Sequence, residues 1–168
     1  AKLGGYNVVI SPKGIVPTRN FIVEYYEEDT PLVILDDDVR RIVCLKDNMD
    51  LSLFFQDAFS LLVKEKCNLW GVYPVPNRFF MDKKKNEYSI HLTHILGGFN
   101  GRFNKKDIIL SEECAFKEEF ENSILFYLRD KKIIRFNKIS YNTAFYAKGG
   151  INDSGGRTIE TERQHSLN

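Results

Sequence analysis

The sequence predicts an α/β domain, with a mixed sheet flanked by helices. Three observations lead there. Helix-like and strand-like stretches alternate through the first half of the chain. Residues 51–66, LSLFFQDAFSLLVKEK, carry an amphipathic helical pattern. The stretch PLVILDDDVR sets a short apolar run, β-branched at two positions, in front of three adjacent aspartates. At 168 residues the chain is long enough for one domain with its own core, and 43% hydrophobic with 13% aromatic composition suits a globular protein.

Taken in order, YNVVIS from Tyr6 is a short apolar strand closed by Pro12. Thr18 stands where an N-cap would, ahead of a helix expected over residues 19–28 with Phe21, Ile22 and Tyr25 on one side. The run before Asp36 reads as an interior strand. Side chains alternate along a strand, so Asp36 and Asp38 are expected on one face and Asp37 on the other. Asp50 is the expected cap of the helix over residues 51–66, whose basic end suits a helix C-terminus. NLWGVYPV is a strand, and EYSIHLTHILGG alternates like a half-exposed one. The lysines at residues 83–85 are then the tip of an antiparallel hairpin between the two. KEEFENSILFYLRD predicts a second amphipathic helix, followed by a single strand in KKIIRFNKIS. From Gly149 the chain is glycine-rich and polar, so residues 149–168 read as a loop that orders on a ligand or partner, behind a core of residues 1–148.

Charge and cysteines narrow the function classes. Twenty-four basic against 23 acidic residues leave a net charge of +1, which argues against coating a polyanion but not against holding one transiently as substrate. Cys44, Cys67 and Cys114 are odd in number and far apart, as expected of reduced thiols in a cytosol-like compartment. No apolar stretch approaches the ~18 residues of a membrane span, so a soluble, cytoplasmic protein without membrane contact is expected. The chain opens at Ala1 without methionine and enters a strand almost at once, which suggests a segment removed upstream.

The aspartate triad raises the chemical question. Two like charges ~4 Å apart repel by about 1 kcal/mol in water and about 4 kcal/mol at a surface-like dielectric. The plain explanation is an acidic turn left in solvent; the functional one is a cation or a shared proton. Two reaction classes place carboxylates at the end of a strand in this way. One is glycosyl transfer from a nucleotide sugar, where aspartates hold Mn²⁺ or Mg²⁺ beside the departing diphosphate. The other is phosphoryl transfer of the haloacid-dehalogenase type, with Asp36 as nucleophile and Asp38 as acid. A catalytically silent interaction module is the third reading.

Flanking motifs favour the first class. KGIVPTRN upstream of VILDDDV, then WGVYPV, GGFNGRF, KEEFENSILFYLRD, IIRFN and KGGI, occur in an order that resembles GT-A fold glycosyltransferases. The set is most similar to the TET-associated glycosyltransferases and their base-J glucosyltransferase relatives of phages, large DNA viruses and some eukaryotes. The resemblance implies a Rossmann-like GT-A fold, here without most of its first strand-helix-strand. Its donor side covers about residues 1–75 and its acceptor side about residues 76–148. It further implies a nucleotide diphosphate sugar as donor and a hydroxyl acceptor such as a hydroxymethylated pyrimidine in DNA. A viral member would work in the host cytoplasm.

Residue by residue, the resemblance assigns Asp38 and Asp36 to the metal, with His165 as a late histidine ligand. Lys13, Arg19, Asn20, Asp36, Asp37, Gly97 and Gly98 fall to the donor. GGFNGRF becomes the acceptor-side glycine loop. Glu119 becomes the base that takes the acceptor's proton, with Glu118 orienting sugar or base. Glutamates at a helix start are also favoured by the macrodipole whatever the function. Trp70 and Tyr73 read as core residues, and His91 and His94 as opposite sides of a strand without metal-pair spacing.

Overall fold

The computed structural model describes residues 2–46 and 49–143. It is mixed α/β, with a sheet of parallel and antiparallel strands flanked by helices. The predicted tail and His165 lie outside the described residues.

The chain starts with a small hairpin of β1 (Lys2–Leu3) and β2 (Tyr6–Asn7). The expected strand through Ile10 stops at Asn7: Val8, Val9 and Ile10 are exposed at 38%, 46% and 89% and lie outside the strand. An apolar run specifies a strand only where a neighbouring strand accepts its backbone. Helix α1 (Ile15–Tyr25) begins ahead of the predicted start, capped at Gly14 with φ 114°. Pro17 fits its first turn, where no N–H is required. Thr18 is therefore inside the helix and hydrogen-bonds back to Pro12 O at 3.0 Å rather than capping it.

Strand β3 (Pro31–Leu35) is an edge strand, not an interior one, and alternates between exposed and buried side chains. After the aspartates, β4 (Val39–Cys44) leaves the main sheet, an element the sequence reading did not anticipate. Helix α2 (Leu51–Glu65) forms as expected, with Asp50 Oδ1 accepting from Ser52 N at 2.8 Å and Leu53 N at 3.2 Å. It ends at Lys66 in the left-handed region.

Strand β5 (Leu69–Val72) is buried throughout, and α3 (Arg78–Asp82) and β6 (Tyr88–Ile90) follow it. The lysines at residues 83–85 join a helix to a strand, so they are not a hairpin tip; β5 and β6 are not paired with each other. GGFNGRF is mostly strand: Phe99–Phe103 is β7, which pairs with both β3 and β5. A 3-10 turn (Glu112–Cys114) leads to α4 (Glu118–Asp130), the second predicted helix. The final predicted strand is divided into β8 (Ile134–Phe136) and β9 (Ile139–Thr143). Between them Asn137, 2% exposed, is held by Glu87 O, Asn86 O and the Ser89 hydroxyl, which turns the chain out of the first sheet.

The main sheet runs β3-β7-β5-β8-β6, with β5 and β8 parallel and the other neighbours antiparallel. β4 and β9 form a second, two-stranded sheet. One face of the main sheet packs on α2 through Phe54, Ala58, Leu62, Trp70, Phe99 and Ile134. A second cluster joins Leu69, Ile95, Ile108, Phe126 and Ile133 beneath α4. Trp70 is fully buried among Phe54, Phe55, Phe59, Phe99 and Phe136, whose rings lie 5.3–6.2 Å from it. Gly101 makes that possible, since a Cβ there would lie 2.3 Å from the indole. Trp70 is thus core, as read. Cys67 is buried and Cys114 exposed, and burial pushes the Cys67 thiol up to about 12. No helix among the described residues is long and apolar enough to cross a membrane.

Candidate functional site

The strand that precedes the aspartates stops at Leu35, so alternation does not govern them. Asp36 N donates to Gly98 O at 3.1 Å and Val39 N to Asp36 O at 3.2 Å, which makes the triad a turn. The turn still leaves Asp36 and Asp38 half-buried and Asp37 exposed. The strand alternation expected for the three aspartates is thus replaced by a turn.

Because β7 is antiparallel to β3, Gly97 and Gly98 arrive beside Asp36. Arg19, 9% exposed on α1, reaches under the turn: its Nη2 donates to Asp36 Oδ1 at 2.9 Å and to Gly97 O at 3.3 Å. Asn100 Nδ2 also donates to Gly97 O, at 2.9 Å, fixing the loop. The first turn of α4 faces the same loop, where Gly97 N donates to Glu119 Oε2 at 3.4 Å. Ser123 ties helix to loop, accepting from Ile95 N at 3.1 Å and donating to Glu119 O at 2.8 Å.

These groups enclose a pocket of about 20 Å³ lined by Arg19, Gly97, Arg102, Glu118, Glu119 and Asn122, room for about one water. Burial raises the Glu118 carboxyl above its ordinary range, and neighbouring Glu119 raises it further against the opposing pull of Arg19. Burial and then Arg19 bring the Arg102 guanidinium down to about 10. Arg102 Nη1 donates to Asn122 Oδ1 at 3.4 Å, while its Nε and Nη2 have no hydrogen-bond partner.

The two glycines serve different ends. A Cβ on Gly97 would point at Glu118 Oε1 (3.3 Å), Arg19 Nη2 (3.4 Å) and Glu119 Oε2 (3.6 Å), so this glycine faces the cluster. A Cβ on Gly98 would meet Tyr141 Oη at 2.7 Å, so that space is already filled by β9. Tyr141 lies between the two acidic groups: burial raises its hydroxyl most, and Glu119, Asp36 and Asp38 add to the shift.

Arg19, Asp36, Gly97, Glu118 and Glu119 are therefore brought together, with Gly98 beside them. Lys13 is exposed ahead of α1 and does not line the pocket. Asn20 is used elsewhere: its Nδ2 donates to Leu110 O and its Oδ1 accepts from Leu110 N, both at 2.9 Å, clamping α1 to the later loop. His91 is exposed. His94, set aside as a strand residue, is in neither strand nor helix and lies with Nε2 3.2 Å from Glu119 Oε1. Tyr141, Asn100 and Arg102 also join the site: no local motif marks Tyr141, while Asn100 and Arg102 stand inside GGFNGRF, where the glycines alone are the expected site residues.

Among the described residues no group of three or more His, Cys, Asp or Glu side chains converges to hold a metal ion. Asp36 and Asp38 nevertheless offer oxygen donors of the right kind, since one or two carboxylates with phosphate and water oxygens suffice for Mg²⁺-like ions. Comparison with family models, curated proteins and solved structures finds no match for this chain.

Proposed function

We propose that this protein is a metal-dependent glycosyltransferase of the GT-A type. It would move a hexose from a nucleotide diphosphate sugar to a hydroxyl acceptor, with a hydroxymethylated pyrimidine in DNA as the acceptor class implied by the sequence motifs. One observation carries the reading. Arg19, Gly97, Glu118 and Glu119 come from distant parts of the chain and line one small pocket, and Arg19 ties Asp36, at the carboxyl end of β3, to its edge.

In this reading Asp38 and the free side of Asp36 hold Mn²⁺ or Mg²⁺, which when bound neutralises the departing diphosphate. Arg19 fixes Asp36 in place and presents positive charge to the donor. Glu119 takes the proton from the acceptor hydroxyl as its oxygen bonds to the sugar carbon and the bond to diphosphate breaks. Glu118, more readily protonated, donates a hydrogen bond to sugar or base. A dehalogenase-like phosphatase fits less well, because Arg19 occupies an oxygen of the aspartate that would attack phosphorus.

The test is thermal denaturation with Mn²⁺ and a panel of nucleotide diphosphates and nucleotide sugars. Joint stabilisation beyond either ligand alone is expected, about 2.7 kcal/mol at 100-fold excess over the dissociation constant. No shift with any pair would end this reading. Stabilisation by beryllofluoride, lost in Asp36→Asn, would assign the phosphatase instead.

A further inference from the structure

We propose that His94 is the positioning residue for Glu119, an inference that rests on Glu119 acting as the base. His94 lies on the segment that leads into Gly97, outside any regular element. Its ring stacks face to face on Phe120, with centroids 3.9 Å apart and planes 9° from parallel. Phe120 follows Glu119 on α4, so one helical turn holds both the carboxylate and the platform beneath the imidazole.

Nε2 of His94 is buried and has no finished hydrogen bond, although Glu119 Oε1 is 3.2 Å away. The distance is that of a close polar pair, and only the N–H direction is off line. A buried ring nitrogen left unpaired is costly, and this oxygen is the partner within reach. A modest turn of the Glu119 side chain completes the bond, with Nε2–H donating to Oε1. Glu119 is then held from both sides, because its Oε2 already accepts from Gly97 N. The carboxylate plane is fixed, and Oε2 is kept on the side of Gly97, facing the pocket that Arg19 and Glu118 line.

Two hydrogen bonds to different oxygens do what one cannot, since a carboxylate on a single contact still rotates about its last bond. Positioning of this kind acts on turnover and leaves donor binding alone. It also predicts the tautomer: the proton sits on Nε2, because the tautomer is set by the partner each nitrogen meets. His94 touches no reacting atom in this scheme.

The experiment is side-chain nitrogen–proton correlation NMR of the full chain labelled with ¹⁵N-histidine. His94 is assigned by the signal lost in His94→Gln. The expected result is a proton on Nε2 of His94 that is slow to exchange, and loss of both features in Glu119→Ala. Phe120→Leu keeps both contact groups and should broaden the same signal by freeing the ring. Protonation of wild-type His94 at Nδ1, or a spectrum unchanged by Glu119→Ala, overturns the inference.

Kinetics give the second reading. His94→Ala should lower kcat about 10- to 100-fold at constant donor KM, as expected for losing a hydrogen bond to a charged group. His94→Gln, which keeps a donor near the position of Nε2, should retain most of the turnover. If wild-type protein transfers no sugar to any acceptor, the proposed function fails, while the NMR result still decides whether His94 holds Glu119.

Discussion

Replacing Gly98 by alanine tests whether Tyr141, rather than a bound sugar, is what demands a glycine there. The new Cβ would lie 2.7 Å from Tyr141 Oη and 3.0–3.1 Å from two ring carbons. Ordinary carbon contacts fall at about 3.5–4.0 Å, so ring or loop must give by roughly half an ångström or more. Neither moves freely. Tyr141 is 8% exposed, packs edge-on against Phe99 with centroids 6.2 Å apart, and pairs with Ile42 in the β4–β9 ladder. Gly98 O in turn accepts from Asp36 N. Overpacking at such a site costs about 1–3 kcal/mol. For a chain of this size each kcal/mol shifts Tm by about 2–4 °C, so a fall of roughly 2–12 °C is expected in thermal denaturation. Tyr141→Phe removes the closest of the three contacts, so in a double-mutant cycle it should recover part of the loss. Gly97→Ala is the contrast: its Cβ meets only the flexible ends of Glu118, Arg19 and Glu119, and it should perturb ligand response more than Tm. A Gly98→Ala protein that melts with the wild type, or strict additivity with Tyr141→Phe, would refute this account of the loop.

Asp38→Asn should weaken binding of Mn²⁺ and of a nucleotide diphosphate together, measured by titration calorimetry, while the unliganded protein melts no lower than wild type. Glu119→Gln should cut turnover by ~10²–10⁴-fold with donor affinity nearly unchanged. Glu118→Gln should flatten the dependence of Tm on pH. With its carboxyl raised in the fold, the native state binds the proton more tightly than the unfolded chain, so wild-type stability falls as pH rises from ~4.3 through the folded value, and the amide abolishes that fall. Asn20→Ala should destabilise by about 1–3 kcal/mol, because Leu110 loses both its backbone partners, and should leave metal and nucleotide binding intact.

What was legible in the sequence was local. Asp50 caps α2 because a carboxylate followed by an apolar period is a complete instruction within a few residues. The same holds for α4, with acidic residues in its first turn and an apolar face. What failed depended on partners distant in sequence. YNVVIS has strand chemistry throughout, yet among the described residues its pairing stops at Asn7, and PLVIL reads alike at the edge or the centre of a sheet. KKIIRFNKIS reads as one strand because nothing local shows that Asn137 bonds back to the segment around β6. The site divides in the same way. Arg19, Asp36 and the glutamates were marked by motif, whereas His94 and Tyr141 join the cluster through loop and sheet geometry that no spacing encodes. Asn20 shows the converse: a motif position whose amide is used up by backbone.

The fold resolves the crowding of three carboxylates unequally, and that inequality is informative. Asp36 is neutralised by Arg19 at 2.9 Å, and Asp37 turns to solvent, where its charge is screened. Asp38 is half-buried, close enough to Tyr141 to contribute to the rise of its hydroxyl, and makes no ion pair among the described residues. Glu118 and Glu119 add negative charge across the loop, while Arg19 is already engaged and Arg102 is turned toward Asn122. The excess of carboxylate therefore falls on Asp38, on the side of the turn that Arg19 does not reach. A cation arriving there would meet one uncompensated aspartate, the second oxygen of Asp36, and open positions for the oxygens of a diphosphate.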